Sequence, residues 1–281
     1  SLSPLPFPPH QPSHVPLFSV HLLPLFRNPC TSFALPLCRP THSIMSWIDI
    51  QEKAFRGWTN QYLTRRGMNV ESLYTDLSDG LALIALVEEL THPKTVGRYN
   101  KKTKLPFQKL ENIGIVLKFL EKEGLKMVNI GPEDIMNGNQ RIILGLIWSL
   151  ILRYQISLGK GDGDGADGSA KDELLKWVQS KIPDYNIKNF KGDWLDGKAI
   201  NALVDALNPG LSPNHASLGG TDAERAQKGL DIAYDEWGVP KIMTGEEFGK
   251  DEMSMMTYIA MLRDVDPSKG ASKLGPAPGE D

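Results

Sequence analysis

Beyond residue 44 the chain has no cysteine and only two histidines, His92 and His215. A thiolate nucleophile, a disulfide frame and a cysteine-rich zinc site are therefore excluded there, and a histidine-based metal site would need both histidines plus carboxylates. His92 precedes Pro93 and His215 lies in a stretch rich in Pro, Asn and Ser, so both read as loop residues. An intracellular protein without redox chemistry, metal or cofactor is the plain reading. Long apolar runs are lacking too. Pro24, Pro29 and Pro36 break up the early one, and Arg141 and Arg153 bracket only eleven residues in the most apolar stretch, well short of the ~18 a membrane span needs. Excess positive charge is missing, with 31 basic against 34 acidic side chains, which argues against a nucleic-acid binder that grips phosphate by bulk charge. Sustained strand alternation is absent, so the class reads as all-α.

What is present divides at two compositional breaks. Residues 1–44 hold ten of the 20 prolines, four of the six histidines and both cysteines, but no Gly, Lys, Asp or Glu. They lack the charged start and small-residue cleavage site of a secretory signal. Met45 is the first methionine, so this leader reads as an untranslated segment read through or a disordered arm, with a Pro-rich interaction tail as the alternative. The second break is Gly159-Lys-Gly-Asp-Gly-Asp-Gly-Ala-Asp-Gly168, which cannot bury apolar surface and reads as a flexible linker. The expected organisation is a leader over 1–45, a first domain over 46–158, a linker over 159–169, a second domain over 170–266 and a tail over 267–281.

The halves on either side of the linker are alike. Asp76-Leu-Ser-Asp79-Gly80, with the apolar run to Leu90, recurs 117 residues later as Asp193-Trp-Leu-Asp196-Gly197, with the run to Leu207. The segment Phe55–Leu63 has a counterpart in Leu174–Ile182, and Leu144–Ile147 has one in Met256–Ile259. Three blocks in one order make a tandem repeat. In the first half, Phe55, Trp58 and Tyr62 fall on one helical face behind a capping pattern at Ser46 and Asp49, with Gly67 as a stop. A second helix starts near Ser78 or Asp79, buries Leu81, Ile84, Val87 and Leu90, and ends before Pro93. A third buries Ile113, Leu117 and Leu120 and stops at Gly124, Pro132 opens a short turn, and Asn139–Ile156 is apolar almost all round, as a central helix would be.

These blocks, the helix Ile143–Tyr154 and the segment Asn189–Lys198 resemble the tandem calponin-homology domains that make up actin-binding domains, over roughly residues 47–265. The wording of Thr75–Leu90, Leu144–Trp148 and Ala202–Gly210 is similar to filamin rather than to α-actinin, spectrin or dystrophin, and the tail resembles the start of a linker to a filamin rod. An α-actinin- or spectrin-type domain, or a phosphoinositide-regulated adaptor between membrane and cytoskeleton, is the alternative.

The resemblance implies a cytoplasmic, non-enzymatic module that binds filamentous actin on three surfaces. The first is the outward face of the opening helix, with Gln51, Lys53, Arg56, Gln61, Arg65 and Arg66. The second joins a basic loop, Arg98, Lys101, Lys102, Lys104 and Lys109, to Asn139, Gln140 and Arg141. The third is the opening helix of the second domain, with Lys171, Lys176, Gln179 and Lys181. It also implies a closed-to-open change in the packing of the two domains, a phosphoinositide response carried by Tyr185, Lys188, Lys191 and Lys198, and a full-length protein dimeric through regions outside this chain. Charge independently favours the first repeat for an acidic partner, since residues 46–159 are net +3 and 160–281 net −8, and positions 98–109 contain no acid.

Other chemistries fit poorly. Asp162 and Asp164 start a calcium-loop frame that fails at Ala166 and Asp167. The glycine run has no Ser or Thr after its lysine and follows a helix, so it is no phosphate cradle. The repeated pairs Asp76/Asp79 and Asp193/Asp196 sit at helix starts, which favours capping over acid–base work. Trp58, Trp148 and Trp177, and Leu146 and Ile147 of the apolar helix, read as core.

Overall fold

In the first repeat, Ser46 opens α1 (Trp47–Leu63) with a capping box, its hydroxyl accepting from Ile48 N at 3.1 Å while Asp49 Oδ2 accepts from Ser46 N at 3.0 Å. Phe55 and Trp58 are fully buried, and the chain leaves the helix through Gly67 in the left-handed region. A short α2 (Leu73–Asp76) precedes α3 (Leu81–Thr91), which is buried on most of its circumference. Next come α4 (Pro106–Lys122), α5 (Pro132–Met136) and α6 (Gln140–Ile151). The computed structural model describes residues 46–127, 129–157 and 166–269, with the side chains of 166–169 and 269 left aside, and among these residues there is no strand. The Pro-rich leader, expected to be disordered, most of the expected Gly/Asp linker and the end of the tail lie outside the described residues.

Helix α6 is the hub of the first repeat: Ile143, Leu144, Leu146, Ile147, Leu150 and Ile151 are buried, while Ile142, Trp148 and Leu152 are half-buried. It does not run uniformly to residue 156 as expected but widens into a π-helical turn over Leu152–Ile156. The second repeat repeats the plan with α7 (Ala166–Lys181), α8 (Lys198–Leu207), α9 (Asp222–Trp237) and α10 (Glu252–Asp264). Helix α10 is the counterpart of α6 and is buried from Ser254 to Arg263. Helix α7 starts at Ala166, inside the segment expected to be linker, and takes Gly168 into its first turn.

The repeated Asp-Gly pair has one job in both halves. Asp79 Oδ1 accepts from Leu81 N at 2.9 Å and Asp196 Oδ1 from Lys198 N at 2.9 Å, each satisfying a first-turn N–H of its helix. Asp76 and Asp193 each accept two backbone N–H groups of the preceding loop. These carboxylates cap and brace, as the repeat pattern implied. At Gly197 (φ +67°) a Cβ would run into the backbone of α9, with Asp222 O at 2.7 Å, so no larger residue fits.

The two repeats pack as parts of one compact unit. Helix α10 lies against α1 and the π turn. Gly57 of α1 leaves room for Ile242, whose Cγ2 would sit 2.8 Å from a Cβ there.

Candidate functional site

The basic loop between α3 and α4 is built rather than loose. Asn112, fully buried on α4, donates through Nδ2 to Asn100 O (3.0 Å) and Asp79 O (3.2 Å), and its Oδ1 accepts from Asn100 N at 2.8 Å. Thr103 Oγ1 donates to Asp79 Oδ2 at 3.1 Å. The loop is thus clamped to the start of α3 at its middle and its root, while Arg98, Lys101, Lys102 and Lys104 remain exposed and Lys109 half-buried. Among the described residues none of these five cations forms an ion pair, so their charge is directed outward.

Sequence reasoning missed the apolar part of this surface. Leu105 is 50% and Phe107 60% exposed, on either side of Pro106 at the start of α4. Phe107 precedes Ile113 by six residues, which sets it about a third of a turn off the buried stripe of α4. That offset was readable, but the stripe drew attention to the core positions. Asn139, Gln140 and Arg141, expected beside the loop, are exposed at the start of α6. Leu146 and Ile147 are buried, in keeping with a core role.

The opening helix departs from expectation at its first turns. Gln51 is only 6% exposed, and its Nε2 donates to Asp251 Oδ1 of the second repeat at 3.0 Å. Lys53 Nζ donates to both Glu247 carboxylate oxygens, at 2.9 and 2.8 Å. These two residues avoid the Phe55/Trp58 stripe, as read, but the second repeat covers the face they occupy, so they are not outward in this state. Arg56 pairs with Glu52 at 3.2 Å and is half-buried, as is Gln61. Arg65 and Arg66, past the end of α1, are exposed; Arg66 reaches Glu89 (2.6 Å) and Glu88 (2.9 Å), which raise its pKa.

The third expected surface is largely engaged within its own repeat. Lys171 pairs with Glu252 of α10, and Lys181 with Asp266 at 2.8 Å. Burial alone would raise the Asp266 carboxyl, but donors on Lys181, Trp177 Nε1 and Ser268 outweigh it and hold that group well below the usual carboxylate range. Gln179 is exposed while its Nε2 donates to Ile187 O at 2.7 Å, and Lys176 is exposed without an ion pair among the described residues. Of the lipid-contact candidates, Lys188 and Lys191 are exposed and Lys198 is half-buried; the Tyr185 hydroxyl lies 2.6 Å from His215 Nδ1. His92 is in a turn, whereas His215, expected in a loop, opens a short 3-10 helix (His215–Ser217); no cluster able to hold a metal occurs among the described residues, nor any helix long and apolar enough to cross a membrane.

Two helical repeats with capped Asp-Gly starts, buried hubs and one built basic loop match a known plan. The model of the calponin homology (CH) domain matches residues 49–156 and again 168–268. The chain belongs to the calponin homology family. As a CH tandem it is similar to Filamin-A of Drosophila melanogaster, 42% identical over 235 residues, and to Filamin-C of Rattus norvegicus, 39% identical over 233 residues, each match covering 80% of this chain. It is also 35% identical over 224 residues, 78% of its length, to the human microtubule-actin cross-linking factor 1. The chain spans only 11%, 8% and 3% of those proteins. The actin-crosslinking core of Schizosaccharomyces pombe fimbrin shares the fold, with a TM-score of 0.62 at 22% identity over 81% of this chain and 52% of that one.

Proposed function

We propose that this CH tandem is a non-enzymatic module that binds filamentous actin in the cytoplasm, and that the first repeat makes the main contact. The observation that carries the reading is the loop from Arg98 to Lys109: five cations without an ion pair among the described residues and two exposed apolar side chains on a clamped backbone, in the half of the chain that is net positive. An acidic protein surface is the complementary partner. Relatives named for actin cross-linking, and filamins at about 40% identity, support actin as that partner.

The same reading includes regulation. With the repeats paired, Gln51 is buried and the Lys53 ammonium is held by Glu247, so this part of the α1 surface is withheld from any filament. Separation of the repeats frees it, so binding and opening are coupled, and only a ligand that prefers one state shifts the balance. In a filamin-like protein, crosslinking takes two such tandems in one assembly, and this chain holds one. A phosphoinositide response falls on a different region, with Lys188 and Lys191 exposed on the second repeat. The function is tested by co-sedimentation of the chain with filamentous actin: saturable pelleting supports it, and a folded, helical sample that stays in the supernatant in both paired and opened forms contradicts it.

A further inference from the structure

The first repeat ends in the π turn, and the end of α10 lies beside it. Ser157 N donates to Leu152 O at 2.8 Å, closing the wide turn, and the helix end leaves late carbonyls without a helical partner. Two of these, on Gln155 and Ile156, accept from one guanidinium of the second repeat: Arg263 Nη2 donates to Gln155 O at 2.6 Å and Nη1 to Ile156 O at 3.0 Å. Arg263 is 4% exposed, and its Nε lies 3.7 Å from Asp264 Oδ1. The Gln155 side chain completes the joint. Its Oε1 accepts from Trp58 Nε1 and the Tyr62 hydroxyl, both at 3.0 Å, and its Nε2 donates to Asp264 Oδ2 at 2.7 Å. Through its backbone and side chain together, Gln155 therefore ties two aromatic residues of α1 to two consecutive residues of α10.

We propose that Arg263 is the positioning residue of the paired tandem, a latch seated on the π turn that keeps the second repeat over α1 and sets the fraction of molecules able to dock on a filament. The proposal rests on the reading that pairing withholds filament-binding surface. Its physical basis is an asymmetry between the two states. With Arg263 removed, the two buried carbonyls lose in the paired state the donors that the second repeat supplies, whereas in the separated state water takes their place, so the loss falls on the paired state alone. The planar fork suits two carbonyls; a lysine at 263 keeps the charge but serves fewer acceptors from one point. The Lys53–Glu247 contact at the other end of the interface differs in kind, because Lys53 is about one-third exposed and open to screening. High salt accordingly loosens that end first and leaves the latch in place.

The test uses the full 281-residue chain with Cys30→Ser and Cys38→Ser, carrying either Ile242→Cys, which reports separation at the Gly57 contact, or Ala233→Cys within α9, which reports unfolding of the second repeat. Thiol alkylation is followed with Arg263, Arg263→Lys and Arg263→Ala. The expected result is alkylation at position 242 about ten- to a hundredfold faster in Arg263→Ala, with Arg263→Lys in between and position 233 unchanged. Filament affinity of the same chains tightens by up to the same factor, because apparent affinity scales with the competent fraction. Unchanged alkylation at 242 in both variants overturns the latch, whatever the filament binding. If Arg263→Ala also exposes position 233, the lysine variant decides: faster reaction at 242 alone supports the latch, and equal acceleration at both positions overturns it. Faster alkylation with unchanged filament affinity overturns the gating role. Absence of filament binding in every chain defeats the actin reading, while alkylation still judges the latch.

Discussion

Lys53 on the opening helix of the first repeat and Glu247 in the second share two hydrogen bonds, at 2.9 and 2.8 Å, across 194 positions of sequence. Burial alone would raise the Glu247 carboxyl, but Lys53 and the Thr244 N–H outweigh it and hold the group below its ordinary value. A carboxylate depressed in this way stabilises pairing fully above the free glutamate pKa of about 4.3, and the contribution is lost as pH falls through that value and below. Near neutrality, pairing is therefore insensitive to pH at this contact. Because Lys53 is partly exposed and screened, Glu247→Gln should shift pairing by only about 1 kcal/mol, roughly fivefold. Energy transfer between a dye on each repeat measures both effects. A wild-type signal flat from pH 7 to pH 3, or a variant that leaves pairing unchanged, would count against the contact.

Reversing Lys101, Lys102 and Lys104 to Glu should abolish filament binding or weaken it at least about a hundredfold, with helix content unchanged. The three side chains are exposed and form no ion pairs among the described residues, so the fold does not depend on them. Circular dichroism and co-sedimentation on the same samples check both halves of the statement. Undiminished binding at physiological salt removes the loop from the site.

Phe107→Ser separates apolar from charged contact. A phenylalanine taken from 60% exposure into an interface contributes about 1–2 kcal/mol, so affinity should drop roughly five- to thirtyfold. The dependence on salt should stay as in the wild type, whereas a lysine variant should flatten it. A Phe107→Ser chain with unchanged affinity would show that this side chain stays in water.

Two glycines with the same backbone angle should respond very differently to alanine. Gly67 and Gly197 both have φ +67°, but a Cβ at Gly67 meets nothing within 4 Å, and one at Gly197 strikes the backbone of α9. Gly67→Ala should cost about 1 kcal/mol, from conformation alone. Gly197→Ala should cost more than about 3 kcal/mol, since α8 and α9 must move apart. Thermal unfolding of the two variants compares them directly, and similar losses would contradict the close packing.

Periodicity and capping made most of the fold legible. The Ser46/Asp49 box, the Asp-Gly starts at Gly80 and Gly197 and the apolar hubs are local patterns, and each forms the element its pattern implied. The basic loop was legible too, because twelve residues without an acid need no tertiary knowledge to notice. Gln51 and Lys53 were not. A polar residue off the core stripe reads as solvent-facing, and only the arrangement of the repeats shows that Asp251 and Glu247 wait there. Arg263 was hidden for the same reason: the carbonyls it serves belong to a π turn more than a hundred positions away.

The central claim, that the first repeat docks on filaments through a charge-assisted surface, is tested most directly by high-speed co-sedimentation of the chain with filamentous actin at rising salt. The account predicts saturable pelleting that weakens steadily as salt rises, down to a residual apolar share. Pelleting indifferent to salt, or none from a folded chain even with Arg263→Ala, would contradict it.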